Sequence, residues 1–192
     1  HAYINGMRIT SERRAGVAAS FVDPLLLSGA EATQGPASTY YGSGAIAGTI
    51  HLNTRQEDHL WLNAGYQSDG DEWVTAAGTG SEVYALSAAY RTRDNGETIN
   101  GDVKNNHFSQ HSINFIRHFE FDSYNLDWQV IESAGDDIGK DNSRFPDSRI
   151  TSYPEEKHLL SQLTLSSQSE DAGDWVARLY FHDQSLITED IR

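Results

Sequence analysis

The 192-residue chain contains no cysteine, four prolines and one methionine, and its 14 Lys/Arg residues face 28 Asp/Glu. Without cysteine there is no disulfide framework, no thiolate metal site and no Cys nucleophile. The shortage of basic residues leaves a net charge of −14, which argues against a nucleic-acid partner, since such proteins need Lys/Arg clusters to displace phosphate counterions. No apolar run reaches the roughly 18–20 residues of a membrane helix, and mean hydropathy is −0.57. These absences exclude helical membrane spans. They leave open a membrane β-barrel, whose alternating strands carry little hydropathy signal. The chain starts at His1 without a basic-then-apolar leader, and 191–192 end on a strand-like stretch, so the sequence is expected to be a fragment of a longer protein.

What is present falls into two parts. In residues 1–57, Arg8, Arg13, Arg14 and Arg55 balance Glu12, Asp23, Glu31 and Glu57, so residues 58–192 carry all of the −14. The first part is expected to be mixed α/β. Residues 2–6 are extended and 11–20 form a loop. Asp23-Pro24 before three leucines fits a short helix, with Asp as N-cap and Pro at its first position. Residues 29–34 are extended, and 49–54 alternate as a strand in which Ile50 and Leu52 share one face with the small internal core.

The second part reads as about seven strands. Leu60, Leu62, Ala64 and Tyr66 alternate with polar residues, and so do Trp73, Thr75, Ala77 and Thr79. Tyr84, Leu86, Ala88 and Tyr90 follow, then Ile113, Phe115 and Phe119, then Tyr124, Leu126, Trp128 and Val130. Leu159, Leu163 and Leu165 make a sixth strand, and Trp175, Ala177, Leu179 and Phe181 a seventh. Strands of about 8–11 residues, with connections alternating between short and long, match a tilted transmembrane barrel. Aromatics fall near both strand ends, as interfacial girdles do. Residues 134–157 are expected to be a long loop. Alternation alone fits a second architecture equally well, a soluble extracellular β-sandwich that binds glycan or acts as an adhesin.

Residues 34–55, QGPASTYYGSGAIAGTIHLNTR, closely resemble the end of the plug domain of TonB-dependent outer-membrane receptors, which typically reads G-P-x-S-x-x-Y-G-S-x-A-x-G-G-x-I-N-x-x-T. Residues 3–8 are similar to that family's V-x-I-D-G-V-R strand, and residues 21–27 to its V-D-P-x-L-L helix start. Ala47 replaces a usual glycine and Asn5 a usual aspartate. The resemblance implies a small α/β plug segment at 1–57, followed at 58–192 by the first antiparallel transmembrane strands of a barrel of roughly 22. It also implies import of an iron chelate (siderophore) or haem across a Gram-negative outer membrane. The expected partners are outer-membrane lipid and the TonB energy-transducing complex, whose contact region is not in the chain.

No enzyme chemistry is expected. The eight histidines contain no His-Glu-x-x-His motif, the acidic stretches at 69–72 and 136–142 lack an EF-hand register, and the glycines lack phosphate-loop spacing. No metal site and no cofactor follow from the motifs. Ligand contact is expected from Arg13 and Arg14, whose guanidiniums suit an anionic chelate. Phe145 and Tyr153, in the long loop, could stack on a flat ligand.

Overall fold

The structure, a computed structural model, describes residues 2–9, 21–35, 48–98, 101–102, 105–140, 150–167 and 175–191. Its first sheet contains β1 (Ala2–Ile4), β2 (Met7–Ile9), β3 (Leu27–Gln34) and β4 (Gly48–Thr54), in the order β2-β1-β4-β3. β4 lies parallel to β1 and antiparallel to β3. Between β2 and β3, one 3₁₀ turn spans Pro24–Leu26. Its start is set as the sequence suggests: Asp23 accepts the Leu25 N–H at 2.8 Å, and Pro24 gives up no needed donor. Gly48 sits at φ +138°, where an added Cβ would lie 2.2 Å from the Thr33 carbonyl oxygen, so β3 and β4 can approach only around a glycine.

Ile4, Met7, Ile9, Val22 and Leu26 are fully or almost fully buried and join Leu52 in one core. Ile50 departs from expectation, with 50% of its surface exposed. It pairs with Ala2, two residues along β4 from the Ile4–Leu52 pair, at the edge of the core. Burial along β4 therefore follows the position of the neighbouring core rather than simple alternation.

The second sheet is a seven-stranded antiparallel wall in sequence order: β5 (Trp61–Gln67), β6 (Glu72–Ser81), β7 (Tyr84–Arg93), β10 (Phe108–Glu120), β11 (Tyr124–Lys140), β12 (Ile150–Ser167) and β13 (Val176–Ile191). A small hairpin, β8 (Glu97–Thr98) with β9 (Gly101–Asp102), sits in the connection before β10. Residues 134–140 and 150–157, expected in a loop, belong instead to β11 and β12, which run for 17 and 18 residues. Ala134 to Gly139 carry no apolar alternation because, Ile138 apart, both faces of that stretch are polar or small. The ladder there is held by backbone pairing, down to Lys140 opposite Thr151.

The wall has two unlike faces. One carries Ser87, Ser112, Asn114, Gln129, Ser133, His158 and Gln162, all buried. The other carries Leu62, Trp73, Leu86, Ile113, Trp128, Leu163, Leu179 and Phe181, all exposed. The contrast holds between neighbours on a single strand: Gln162 is 6% exposed and Leu163 41%. Cross-strand rows such as Trp128–Leu163–Leu179 and Val130–Ser161–Phe181 continue up to Glu132, Leu159 and Asp183, where charge returns. From Phe119 to Ile113 the rows cover about 20 Å at roughly 3.3 Å per residue, close to the height of a barrel's lipid-facing band. Arg117, low on the outward face, reaches the Val83 carbonyl at 3.4 Å, so its charge leaves the apolar rows toward the turn end. A sandwich would bury those rows under a second sheet. Here the small sheet packs against the opposite, polar face, sharing its core with Ala76, Ala89, Ile131 and Leu160 of the wall. The sandwich alternative is therefore set aside.

Candidate functional site: the junction of small sheet and wall

The segment between β2 and β3 is gripped by the wall at one point. The Phe21 carbonyl receives Gln110 Nε2 at 2.6 Å and Ser112 Oγ at 2.9 Å, with Ser133 Oγ also in contact. Two residues on, the carboxylate of Asp23, 3% exposed, accepts Arg91 Nε at 2.8 Å and Nη2 at 3.3 Å. Arg91 also binds Glu72, which Arg93 reaches at 3.4 Å, and Arg93 in turn holds Asp69 at 2.7 Å. A chain of alternating charges thus runs from the buried segment to the turn joining β5 and β6. At its solvent end, the Glu97 backbone N–H and then Arg93 hold the Asp69 carboxyl below its ordinary value.

Phe21 points its ring at the wall. It stacks on His158 with centroids 4.0 Å apart and planes 11° from parallel. Lower down, Gln162 Nε2 donates to the Asn5 carbonyl at 3.2 Å. The wall side chains that bind the backbone carbonyls of Phe21 and Asn5 are short or amide-bearing, Ser112, Ser133, Gln110 and Gln162, so they offer hydrogen bonds without filling the space that the segment occupies.

Beside this grip lies a cavity of about 580 Å³, within the usual range for small-molecule sites. Phe21, Pro24 and Leu27 bound it on one side, and Phe108, Ile138 and Arg91 on the other. Among the described residues its lining is mainly apolar, and the one guanidinium there, that of Arg91, is already matched by Asp23 and Glu72. The cavity can therefore cover an apolar or flat portion of a ligand more readily than it can neutralise an anion.

Of the residues expected to touch ligand, Arg13, Arg14 and Phe145 lie outside the described residues. Tyr153 is not in a loop: it lies in β12, 8% exposed, paired with Ile138, with Lys140 Nζ 5.9 Å from its ring centroid. The structure does not bring it to the cavity lining. Alternation alone would assign Arg91, Gln110, Ser112, Ser133 and His158 to the inward face. It could not reveal that Asp23, 68 positions from Arg91, would meet it there.

Residues 1–49 match the family model described as the TonB-dependent Receptor Plug Domain. A hemin receptor of Yersinia enterocolitica is 36% identical over 70 residues, which are 36% of this chain and 10% of that protein. Among solved structures, the copper transporter OprC superposes with TM-score 0.74 at 17% identity over 97% of this chain. The siderophore receptor PiuA from Acinetobacter baumannii superposes with TM-score 0.60 at 12% identity over 98%. The chain spans 30% and 29% of those two structures. At such identities the superpositions carry the fold alone. The chain is similar to the TonB-dependent receptors, matching their plug domain over residues 1–49 and sharing the antiparallel strand arrangement of their barrels after it.

Proposed function

We propose that this chain is the plug end and first wall of an outer-membrane transporter that imports haem or another iron chelate in a Gram-negative cell, driven by TonB. The observation that carries the reading is the shared cavity. Plug residues and wall residues each supply part of its surface, and the plug side is tethered next to it by Phe21 and Asp23. A pull on the plug would therefore change the cavity's shape, which is what coupling ligand passage to an energy source requires. The similarity to a hemin receptor favours haem, whose flat apolar ring suits a mainly apolar cavity.

In this reading the outward rows meet outer-membrane lipid, and the protein performs no catalysis. Residues 1–57 serve as plug and 58–192 as wall. Arg13 and Arg14 engage the anionic groups of the ligand. Phe145 and Tyr153 contribute aromatic contact, Tyr153 only once Lys140 has moved off its ring.

The test is haem-dependent growth and haem uptake by the full-length receptor in a host lacking its own haem receptor, with and without TonB. TonB-dependent uptake supports the reading, and uptake indifferent to TonB overturns it. Replacing both Arg13 and Arg14 by Ala is expected to weaken haem binding about tenfold, the loss of roughly 1.4 kcal/mol, at unchanged receptor abundance.

A further inference from the structure

The cavity beside the plug clamp is built on one cross-strand row of the wall. Arg91, Gln110, Gly135 and Glu156 stand opposite one another on β7, β10, β11 and β12, and all four line the cavity. At roughly 4.8 Å between neighbouring strands, the row is about 14 Å from end to end. Gly135 puts no side chain into its middle, and Ile138 folds over it: Ile138 Cδ1 would lie 2.7 Å from a Cβ added there. The middle of the row is therefore a low apolar floor, bordered by Phe108 from the wall and by Phe21 and Leu27 from the plug segment.

The two ends of the row offer a ligand different things. At one end the Arg91 guanidinium is engaged by Asp23 and Glu72. At the other, Glu156 is 9% exposed, and His158 orients its carboxylate by donating from Nε2 to Oε1 at 3.1 Å. Among the described lining residues, three carboxylates face one guanidinium.

We propose that Glu156 sets the charge this cavity accepts: a flat apolar group with an uncharged, cationic or N–H-donating edge enters, and a carboxylate-bearing edge is turned away. An entering carboxylate would have to take Arg91 from a carboxylate that already holds it, or lie beside Glu156. Both are costly in a site largely shielded from water. A cation or N–H donor at the Glu156 end gains a charge-assisted hydrogen bond instead. The inference rests on the reading of the cavity as a ligand site and adds an orientation to it. A haem would enter by the apolar edge of its ring, with its carboxylates left outside.

The experiment compares three naphthalene probes of nearly equal shape: naphthylmethylammonium, naphthylmethanol and naphthoate. Each is titrated into detergent-solubilised full-length receptor at about pH 8, where an imidazole of ordinary pKa is neutral. Ile138→Trp, which fills the floor, serves as the blank for uptake by the micelle. Wild type is expected to bind the ammonium probe about tenfold more tightly than the carboxylate, with the alcohol between them. Glu156→Gln should bring the two charged probes within about threefold of each other, chiefly by weakening the cation. Should that variant not fold, Glu156→Met, which removes the charge at similar volume, takes its place. Equal binding of the ammonium and carboxylate probes by wild type, no saturable binding of any probe, or a preference that survives loss of the Glu156 charge overturns the proposal. Haem uptake indifferent to TonB would overturn the import reading and leave this ranking standing. Tight binding of the carboxylate probe would overturn the ranking and leave TonB-dependent import standing.

Discussion

The small sheet and the wall are built from one chain under opposite rules. In the small sheet and the turn between β2 and β3, the fully buried large side chains are apolar, Ile4, Met7, Ile9 and Leu26, as in any water-soluble core. In the wall, Asn114, Gln129, Ser133 and Gln162 are buried while Trp128, Leu163, Leu179 and Phe181 are exposed. The difference shows where each surface expects its solvent. The wall's inner face is covered by another part of the chain through hydrogen bonds, and its outer face is made for hydrocarbon. Contact between the two regions is consequently largely polar, except where Ala76, Ala89, Ile131 and Leu160 meet the common core and where Phe21 stacks on His158.

The comparison can be broken most sharply at the charge that joins the regions. Arg91→Ala leaves Asp23 buried without its cation, and losing one partner of a buried pair typically costs about 3–5 kcal/mol. Proteolytic cleavage within residues 21–35 should rise strongly in Arg91→Ala membranes. Unchanged protection would mean that the Phe21 carbonyl clamp holds the segment without help.

Next in size is Leu163→Arg, expected to cost about 2–4 kcal/mol if this position lies near the bilayer midplane. Gln162→Arg, one residue away on the inner face, tests the other rule: it should leave lipid insertion intact and disturb the contact with Asn5 instead. Folding titrations into lipid vesicles measure the first effect, and hydrogen exchange around Asn5 the second.

Smaller still is a pH effect at the turn between β5 and β6. Asp69 has a folded-state pKa below its ordinary 3.8, so its contribution is fully present above about pH 4 and disappears as pH falls through the depressed value. Protection of the Glu97 amide, which Asp69 accepts at 3.0 Å, measured relative to the intrinsic exchange rate at each pH, should hold at neutral pH and fall only under acid. Asp69→Asn should make that protection less dependent on acid. The smallest effect belongs to Ile50→Thr, which should shift stability by no more than about 0.5 kcal/mol because the side chain is half exposed. Ile4→Ala, at a fully buried position, should cost about 2–5 kcal/mol.

How far the sequence could be read depended on the same contrast. Alternation at Tyr84–Ala85–Leu86–Ser87–Ala88–Ala89 gives both the strand and its facing correctly, because one side meets hydrocarbon and the other the plug. Beyond Glu132 no such pressure separates the sides, and Gly135, Asp136 and Asp137 look like loop although Asp136 pairs with Ser109 and Glu155. The Asp23-Pro24 cap was legible because a 3₁₀ start is local chemistry. The contacts Asp23–Arg91, Phe21–Ser133 and His158–His182 were not, since register across several strands decides them.

The measurement that bears most directly on the account is a site-by-site accessibility scan of β12 and β13 in the full-length receptor. The chain has no cysteine of its own, so single cysteines at positions 160–165 and 178–182 can each carry a spin label without background from this region. The account predicts oxygen-rich, lipid-like environments at Leu163, Leu165, Leu179 and Phe181, alternating with restricted, plug-shielded ones at Leu160, Gln162 and His182. Equal accessibility to a water-soluble relaxant along both strands would contradict it.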